Sequence, residues 1–305
     1  ARFSAMGTDA RVVVCTPEAR DAALAVRPAI QAVRMVERRM STYRPDSEVS
    51  LLNSMAHERP VWVSEPTRDV LRRSVEIWRL TGGAFDVTYA PLRDLWRRAV
   101  EEGKEPEPDA LAATLSLVGS DRLIIKDSHI GFAAEGMAVD LGGIAKGHAI
   151  ELAADTLQEA GVQAALVDIG GDIRLLGAPA PDRPWRVRVR RPPGGPDQVI
   201  LRLSSCAVAT SGDYARGFRV GEEWYSHVID PRSGHPVESV PSVTVLAPDA
   251  ATADALATAL GVMGPDAALS LVGSLPEIEC MMMLRMQDGS ARVVSSPGFQ
   301  RFVVD

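Results

Sequence analysis

An α+β protein with largely antiparallel sheet is the fold class this chain predicts, and three observations predict it. Strand-like segments come in hairpins and then runs of helix, without the regular βαβ alternation of a doubly wound domain. The 305 residues, 46% hydrophobic and 24% charged, have the composition of an ordinary globule able to bury a substantial core. No sequence repeat and no low-complexity linker divides them, so 1–305 reads as one domain.

Alternation in ARVVVCT, 10–16, predicts a strand. Thr16-Pro17-Glu18 then has the form of a helix cap with Pro in the first turn. Val26, Ile30, Val33, Val36 and Met40 follow at helical spacing, and Pro28 should kink that helix or mark a late start. STYRPDSEVS, 41–50, is polar loop. A helix over 64–80 carries Val70, Leu71, Ser74, Val75 and Trp78 on one face and ends at Thr81-Gly82-Gly83. DRLIIKD, 121–127, reads as strand, and a helix over 144–160 stops at Gly161. AALVDIGGDIRLLG, 164–177, reads as strand, Gly-Gly turn, strand. WRVRVR, 185–190, pairs with VILRLSS, 199–205, across RPPGGPDQ, with its arginines facing water. SVTVLA, 242–247, is a strand before the helix ATADALATALGVMG, 251–264. CMMMLRM and SARVVSS form a terminal hairpin around Gln287-Asp288-Gly289.

The net charge of −7, from 33 basic and 40 acidic residues, argues against a general nucleic-acid binder. Cys15, Cys206 and Cys280 are far apart, form no CxxC pair, and read as three buried apolar cysteines. No apolar run reaches membrane-spanning length.

Four stretches are rich in small and polar residues. TGGAFDVTYAPL, 81–92, places Phe85 and Asp86 after a Gly pair; VDLGGIAKGHAIE, 139–151, puts Asp140, two glycines and Lys146 at a helix start. The Gly pair either makes a tight turn or lets backbone N–H groups meet an anion, with Lys146 adding a point charge for phosphate. ATSGDYAR, 209–216, and YSHVIDPRSG, 225–234, crowd Thr210, Ser211, Asp213, Ser226, His227 and Asp230 together. His227 is either a loop-structuring histidine or a general base, its pKa lying near working pH. Asp254 and Thr258, at i and i+4, emerge on one helix face. Carboxylate and hydroxyl are hard donors of the kind Mg²⁺ takes; the alternative is a helix-start Asp and a Thr bonded to the preceding turn.

In this order the motifs resemble the ApbE family of FAD:protein FMN transferases. The matching stretches are MGT (6–8), MSTYRPDSEVSLLN (40–53), GGAFDVTYAPL (82–92), VDLGGIAKG (139–147), ALVDIGGDI (165–173), ATSGDY (209–214), SHVIDPRSG (226–234) and ADALATALGVMG (253–264). The resemblance implies a T-fold-like α+β architecture with FAD, the substrate, in a cleft between two intimately associated lobes. It implies that Met6, Tyr43, Ala84, Phe85 and Asp86 line the flavin site, that Asp140 and Lys146 contact the cofactor, and that the backbone at Val228 closes the pocket. The Gly143 carbonyl, Asp254 and Thr258 would hold Mg²⁺, and His227 would be the catalytic base. The acceptor is a flavoprotein bearing a Thr or Ser target, the products phosphoester-linked FMN and AMP.

Four positions depart from the family pattern: His148 for a common Tyr, Glu151 for Asp, Asp168 for Asn, and Ala257 where some members carry another acidic ligand. Two alternatives stand beside transfer, an Mg²⁺-dependent FAD pyrophosphatase and a non-catalytic flavin-binding protein. Within the family an aromatic at the position of Tyr43 goes with transfer. The opening ARFSAMGTDARVVV shows neither a basic nor an apolar leader region. The expected compartment is therefore the cytoplasm, the alternative being export and lipid anchoring at the outer face of the inner membrane.

Overall fold

A computed structural model of the chain describes residues 1–16, 19–180, 182–189, 199–212, 217–237, 242–286 and 290–304. Pro17, Glu18, the RPPGGPDQ tip, Asp213 and Gln287-Asp288-Gly289 lie outside the described residues.

Strands β1 (Arg2–Ala5) and β2 (Thr8–Cys15) form a hairpin whose turn residues, Met6 and Gly7, have φ of 52° and 73°. That primed turn matches strand twist, and the uncommon left-handed conformation at Met6 is tied by its N–H to Glu37 Oε1 at 2.7 Å. Helix α1 (Ala19–Met40) starts well before Pro28 and runs through it, so the expected late start is not the outcome. Pro28 supplies no N–H to the carbonyl of Leu24, a residue 65% exposed, which leaves that oxygen on the watered side of the helix. There follow α2 (Glu48–Met55), β3 (Val61–Trp62), α3 (Glu65–Leu80), α4 (Ala90–Glu102), α5 (Pro108–Leu115), β4 (Leu123–Lys126), β5 (His129–Phe132) and α6 (Ala145–Glu159). Next come β6 (Ala164–Ile169), β7 (Asp172–Leu176), β8 (Trp185–Arg188), β9 (Ile200–Leu203), β10 (Ala207–Ser211), β11 (Gly217–Val220), β12 (Glu223–Ser226) and β13 (Ser242–Ala247). The chain closes with α7 (Ala250–Met263), α8 (Pro265–Gly273), β14 (Glu279–Arg285), β15 (Ala291–Ser295) and β16 (Val303–Val304).

One sheet of eight strands, in the order β1-β2-β6-β7-β10-β13-β14-β15, carries the molecule. Every strand pairing among the described residues is antiparallel. Period two sorts its side chains between two cores. Ala165, Val167, Val243, Val245, Cys280 and Met282 enter the core shared with α1, α6 and α7; Leu166, Leu246, Met281 and Met283 enter another with Val187, Leu201, Leu203 and Phe299. Both faces are covered, and SVTVLA is accordingly buried throughout.

Small residues let α6 and α7 approach. A Cβ on Gly147 would lie 2.2 Å from the Ala250 carbonyl oxygen, so the KG step of the sequence is a packing requirement. Elsewhere α4 forms a smaller core: Leu92, Trp96 and Ala99 pack on Val220 and Ile229. Trp96 Nε1 donates to the Gly234 carbonyl at 2.8 Å, fastening the loop that begins with His227. The cysteines correct an expectation, since only Cys280 is buried, Cys15 and Cys206 being half-buried. No helix among the described residues is long and apolar enough to cross a membrane.

Candidate active site

α7 is capped by Asp249, whose side chain accepts from Thr252 N at 2.9 Å, so Asp254 sits inside the helix and not at its start. Its neighbours are alanines and leucines buried against the sheet, and Asp254 is itself only 5% exposed. Solvent decoration is thereby excluded. Asp254 Oδ2 accepts from Gly147 N at 2.9 Å and Oδ1 from Lys146 Nζ at 2.8 Å.

Lys146 reaches a second carboxylate, Asp172 Oδ2, at 2.9 Å. Asp172 begins β7 directly after the Gly-Gly turn, and its Oδ1 accepts from Thr210 N at 3.1 Å. Two buried carboxylates thus share one ammonium, leaving one negative charge in surplus. Burial pushes the Asp254 carboxyl above the ordinary carboxylate range; Lys146 pulls it down and Asp172 pushes it up again. Burial works against the Lys146 ammonium, yet Asp172 and Asp254 hold its pKa well above that of free lysine. The free point charge that a helix-start lysine predicts for a phosphate is therefore absent here: both carboxylates already hold it.

Thr258 lies one turn beyond Asp254, its hydroxyl 3.5 Å from the Asp254 carbonyl, a long contact that leaves the oxygen able to serve elsewhere. Gly143 faces it. A Cβ there would stand 3.8 Å from Thr258 Oγ1 and 3.2 Å from Phe85 Cε2. Gly143, Phe85, Asp254 and Thr258 are therefore one neighbourhood assembled from three distant segments.

The AFD segment is joined to it by backbone, Asp140 N donating to the Val87 carbonyl at 2.8 Å. Asp86 is buried, and its carboxylate accepts from Thr88 N, Thr88 Oγ1, Ser120 Oγ and Ser120 N at 2.8, 2.6, 2.7 and 3.0 Å. Four donors of the fold thus hold this carboxylate, three of them on Oδ1. Asp140 accepts from Gly142 N at 2.7 Å and pairs with Arg93. Asn53 clamps the same segment, donating to the Val139 carbonyl at 2.9 Å and accepting from Val139 N at 2.8 Å.

His227 follows β12 and is exposed. Val228, next to it, is buried with Ala84, Val262 and Met263. Val262 is one turn past Thr258 on α7, so the imidazole's segment and the oxygen cluster share one stretch of helix. The Asp230 carboxylate is engaged within its own loop, accepting from Arg232 N and Nε at 2.9 Å and Nη2 at 2.8 Å. Tyr43 is 96% exposed in the turn after α1, and Met6 stands at the β1–β2 turn.

A model of the ApbE family matches residues 6–282. The chain belongs to the ApbE family. It is 37% identical over 266 residues to the FAD:protein FMN transferase of Vibrio cholerae, covering 86% of this chain and 79% of that one. It is 31% identical over 274 residues to the protein of the same name from Escherichia coli K12, covering 87% and 78%. Among solved structures, the flavin transferase ApbE of V. cholerae superposes with a TM-score of 0.86 at 32% identity, covering 99% of this chain and 98% of that one. The ApbE protein of Thermotoga maritima gives 0.88 at 30% identity, covering 100% and 99%. The α+β, largely antiparallel fold expected from the sequence is the ApbE fold.

Asp172 and Asn53, which hold this neighbourhood together, escaped the motif reading. Both lay inside matched stretches. Asp172 closes GGD, where a carboxylate reads as turn chemistry, and only the meeting of β7 with α6 reveals its partner.

Proposed function

We propose that this chain transfers the FMN moiety of FAD to a Thr or Ser hydroxyl of an acceptor flavoprotein, releasing AMP. The observation that carries this reading is the buried oxygen cluster with a surplus negative charge, built on the same helix that packs the segment of an exposed imidazole. An acidic, oxygen-lined site suits a divalent cation, and an exposed histidine suits a proton acceptor that a second protein must reach.

The residues present fit Mg²⁺: a carboxylate short of positive charge at Asp254, the Thr258 hydroxyl, and Gly143 beside it, whose carbonyl supplies a third hard oxygen. When bound there, Mg²⁺ would neutralise the charge of a diphosphate. His227 takes the proton of the acceptor hydroxyl as its oxygen bonds to the FMN phosphorus. The bond from that phosphorus to the bridging oxygen breaks, and the electron pair leaves with AMP. Met6, Tyr43, the Ala84-Phe85-Asp86 turn, Asp140 and the Val228 backbone shape the flavin side of a cleft between two lobes. Phe85, packed on Gly143, ties that side to the metal ligands.

The test is incubation with FAD, Mg²⁺ and a peptide bearing an acceptor Thr, followed by mass spectrometry. Peptide heavier by FMN is the expected product; FMN found only in solution would establish the hydrolase instead. His227→Ala should lower the transfer rate by ~10²–10⁴-fold. Unchanged turnover and unchanged attachment would leave a flavin-binding module.

A further inference from the structure

Among the described residues, Lys146 is the one lysine or arginine whose ammonium or guanidinium bridges two carboxylates that are each only 5% exposed. Those carboxylates are fixed posts, each tied by its second oxygen to a backbone N–H, Asp254 to Gly147 and Asp172 to Thr210. Lys146 is the adaptable member, a point charge on a flexible stem with its side chain 29% exposed.

We infer that Asp172 is a positioning residue: it receives Lys146 when a divalent cation takes Asp254, so that lysine and metal exchange at Asp254 without the lysine losing its counter-ion. The inference rests on the metal reading above. A divalent ion at Asp254 repels an ammonium 2.8 Å from the same carboxylate. Without Asp172 the lysine would have to remain on Asp254, in competition with the metal, or surrender a buried ion pair. With it, the ammonium keeps a contact that already exists at 2.9 Å.

A double-mutant cycle on magnesium affinity tests this, with Mg²⁺ titrated by calorimetry into the FAD-free protein. Asp172→Asn should weaken binding about tenfold or more in the wild-type background, and by less than about twofold in the Lys146→Met background. The double variant keeps the cluster's net charge, which separates positioning from loss of negative field. Equal weakening in both backgrounds would overturn the inference while leaving the metal reading intact. Wild-type protein that binds no Mg²⁺ would overturn both. A second readout covers a Lys146→Met variant that fails to fold: acylation of Lys146 followed by mass spectrometry. Saturating Mg²⁺ should leave labelling of Lys146 unchanged in the wild type and raise it in Asp172→Asn; an identical response in the two proteins overturns the inference.

Discussion

Asp86 and Asp254 are buried to the same degree, each 5% exposed, yet the fold treats them oppositely. Asp86 is surrounded by neutral donors, two hydroxyls and two amides, all from Thr88 and Ser120. Asp254 has one amide and an ammonium that it shares with Asp172. The first carboxylate is closed, held by four neutral donors of the fold. The second is open, because its partner is divided and negative charge is left over. Burial alone does not mark a site; the kind of partner does.

Substituting the same amide at both positions gives the largest separation between them. Asp254→Asn removes the surplus charge and the anionic donor. Loss of several kcal/mol of transition-state stabilisation corresponds to a transfer rate lower by roughly 10³-fold. Its unfolding free energy should change by less than about 1 kcal/mol, because the amide oxygen can still accept from Gly147 N and the flexible Lys146 ammonium turns to Asp172, clear of the amide nitrogen. A rate within tenfold of wild type would remove Asp254 from the chemistry.

Asp86→Asn should do the reverse. An amide nitrogen facing the N–H or hydroxyl donors of Thr88 and Ser120 leaves a buried donor unsatisfied, worth about 2 kcal/mol in urea unfolding. Folded Asp86→Asn should retain transfer within about tenfold of wild type. Equal stability losses at the two positions would erase the distinction between closed and open carboxylates.

How much of this contrast was legible in the chain follows from the range of the interactions. Period two at 164–177 and 242–247 gave the strands, and the i, i+4 spacing of Asp254 and Thr258 gave their common face, because both patterns are local. Helix 64–80 matched α3 nearly to the residue, since Ser64 and the Gly pair punctuate it. The partners that decide the contrast were not local. Ser120 reaches Asp86 from a different segment, and Asp172 meets Lys146 only when β7 lies against α6. A carboxylate in a small-residue motif looks the same in sequence whether its donors are neutral or charged. The family motifs named the candidate residues; the long-range pairs distinguish one carboxylate from another.

His148 supplies the smallest expected effect and a third case, a half-buried imidazole between an acid and a base, Asp69 and Arg73. Its Nε2 is buried with no hydrogen-bond partner. Burial brings the imidazole down to about 4, with Asp69 raising it and Arg73 lowering it. The folded pKa lies below the unfolded value of 6.5, so between those values the unfolded chain binds more protons. The stability this group allows is fully present above pH 6.5 and is lost as the pH falls toward 4. At 1.36 kcal/mol per unit, acidification to pH 5 amounts to up to about 2 kcal/mol. His148→Phe removes the titrating group and the orphaned nitrogen together. The variant should gain on the wild type by less than about 1 kcal/mol at pH 7.5 and by about 2 kcal/mol at pH 5 in urea unfolding. Parallel stability profiles for the two proteins would mean that His148 is solvated on acidification, and that the α3–α6 junction tolerates charge as readily as the cluster at Asp254 does.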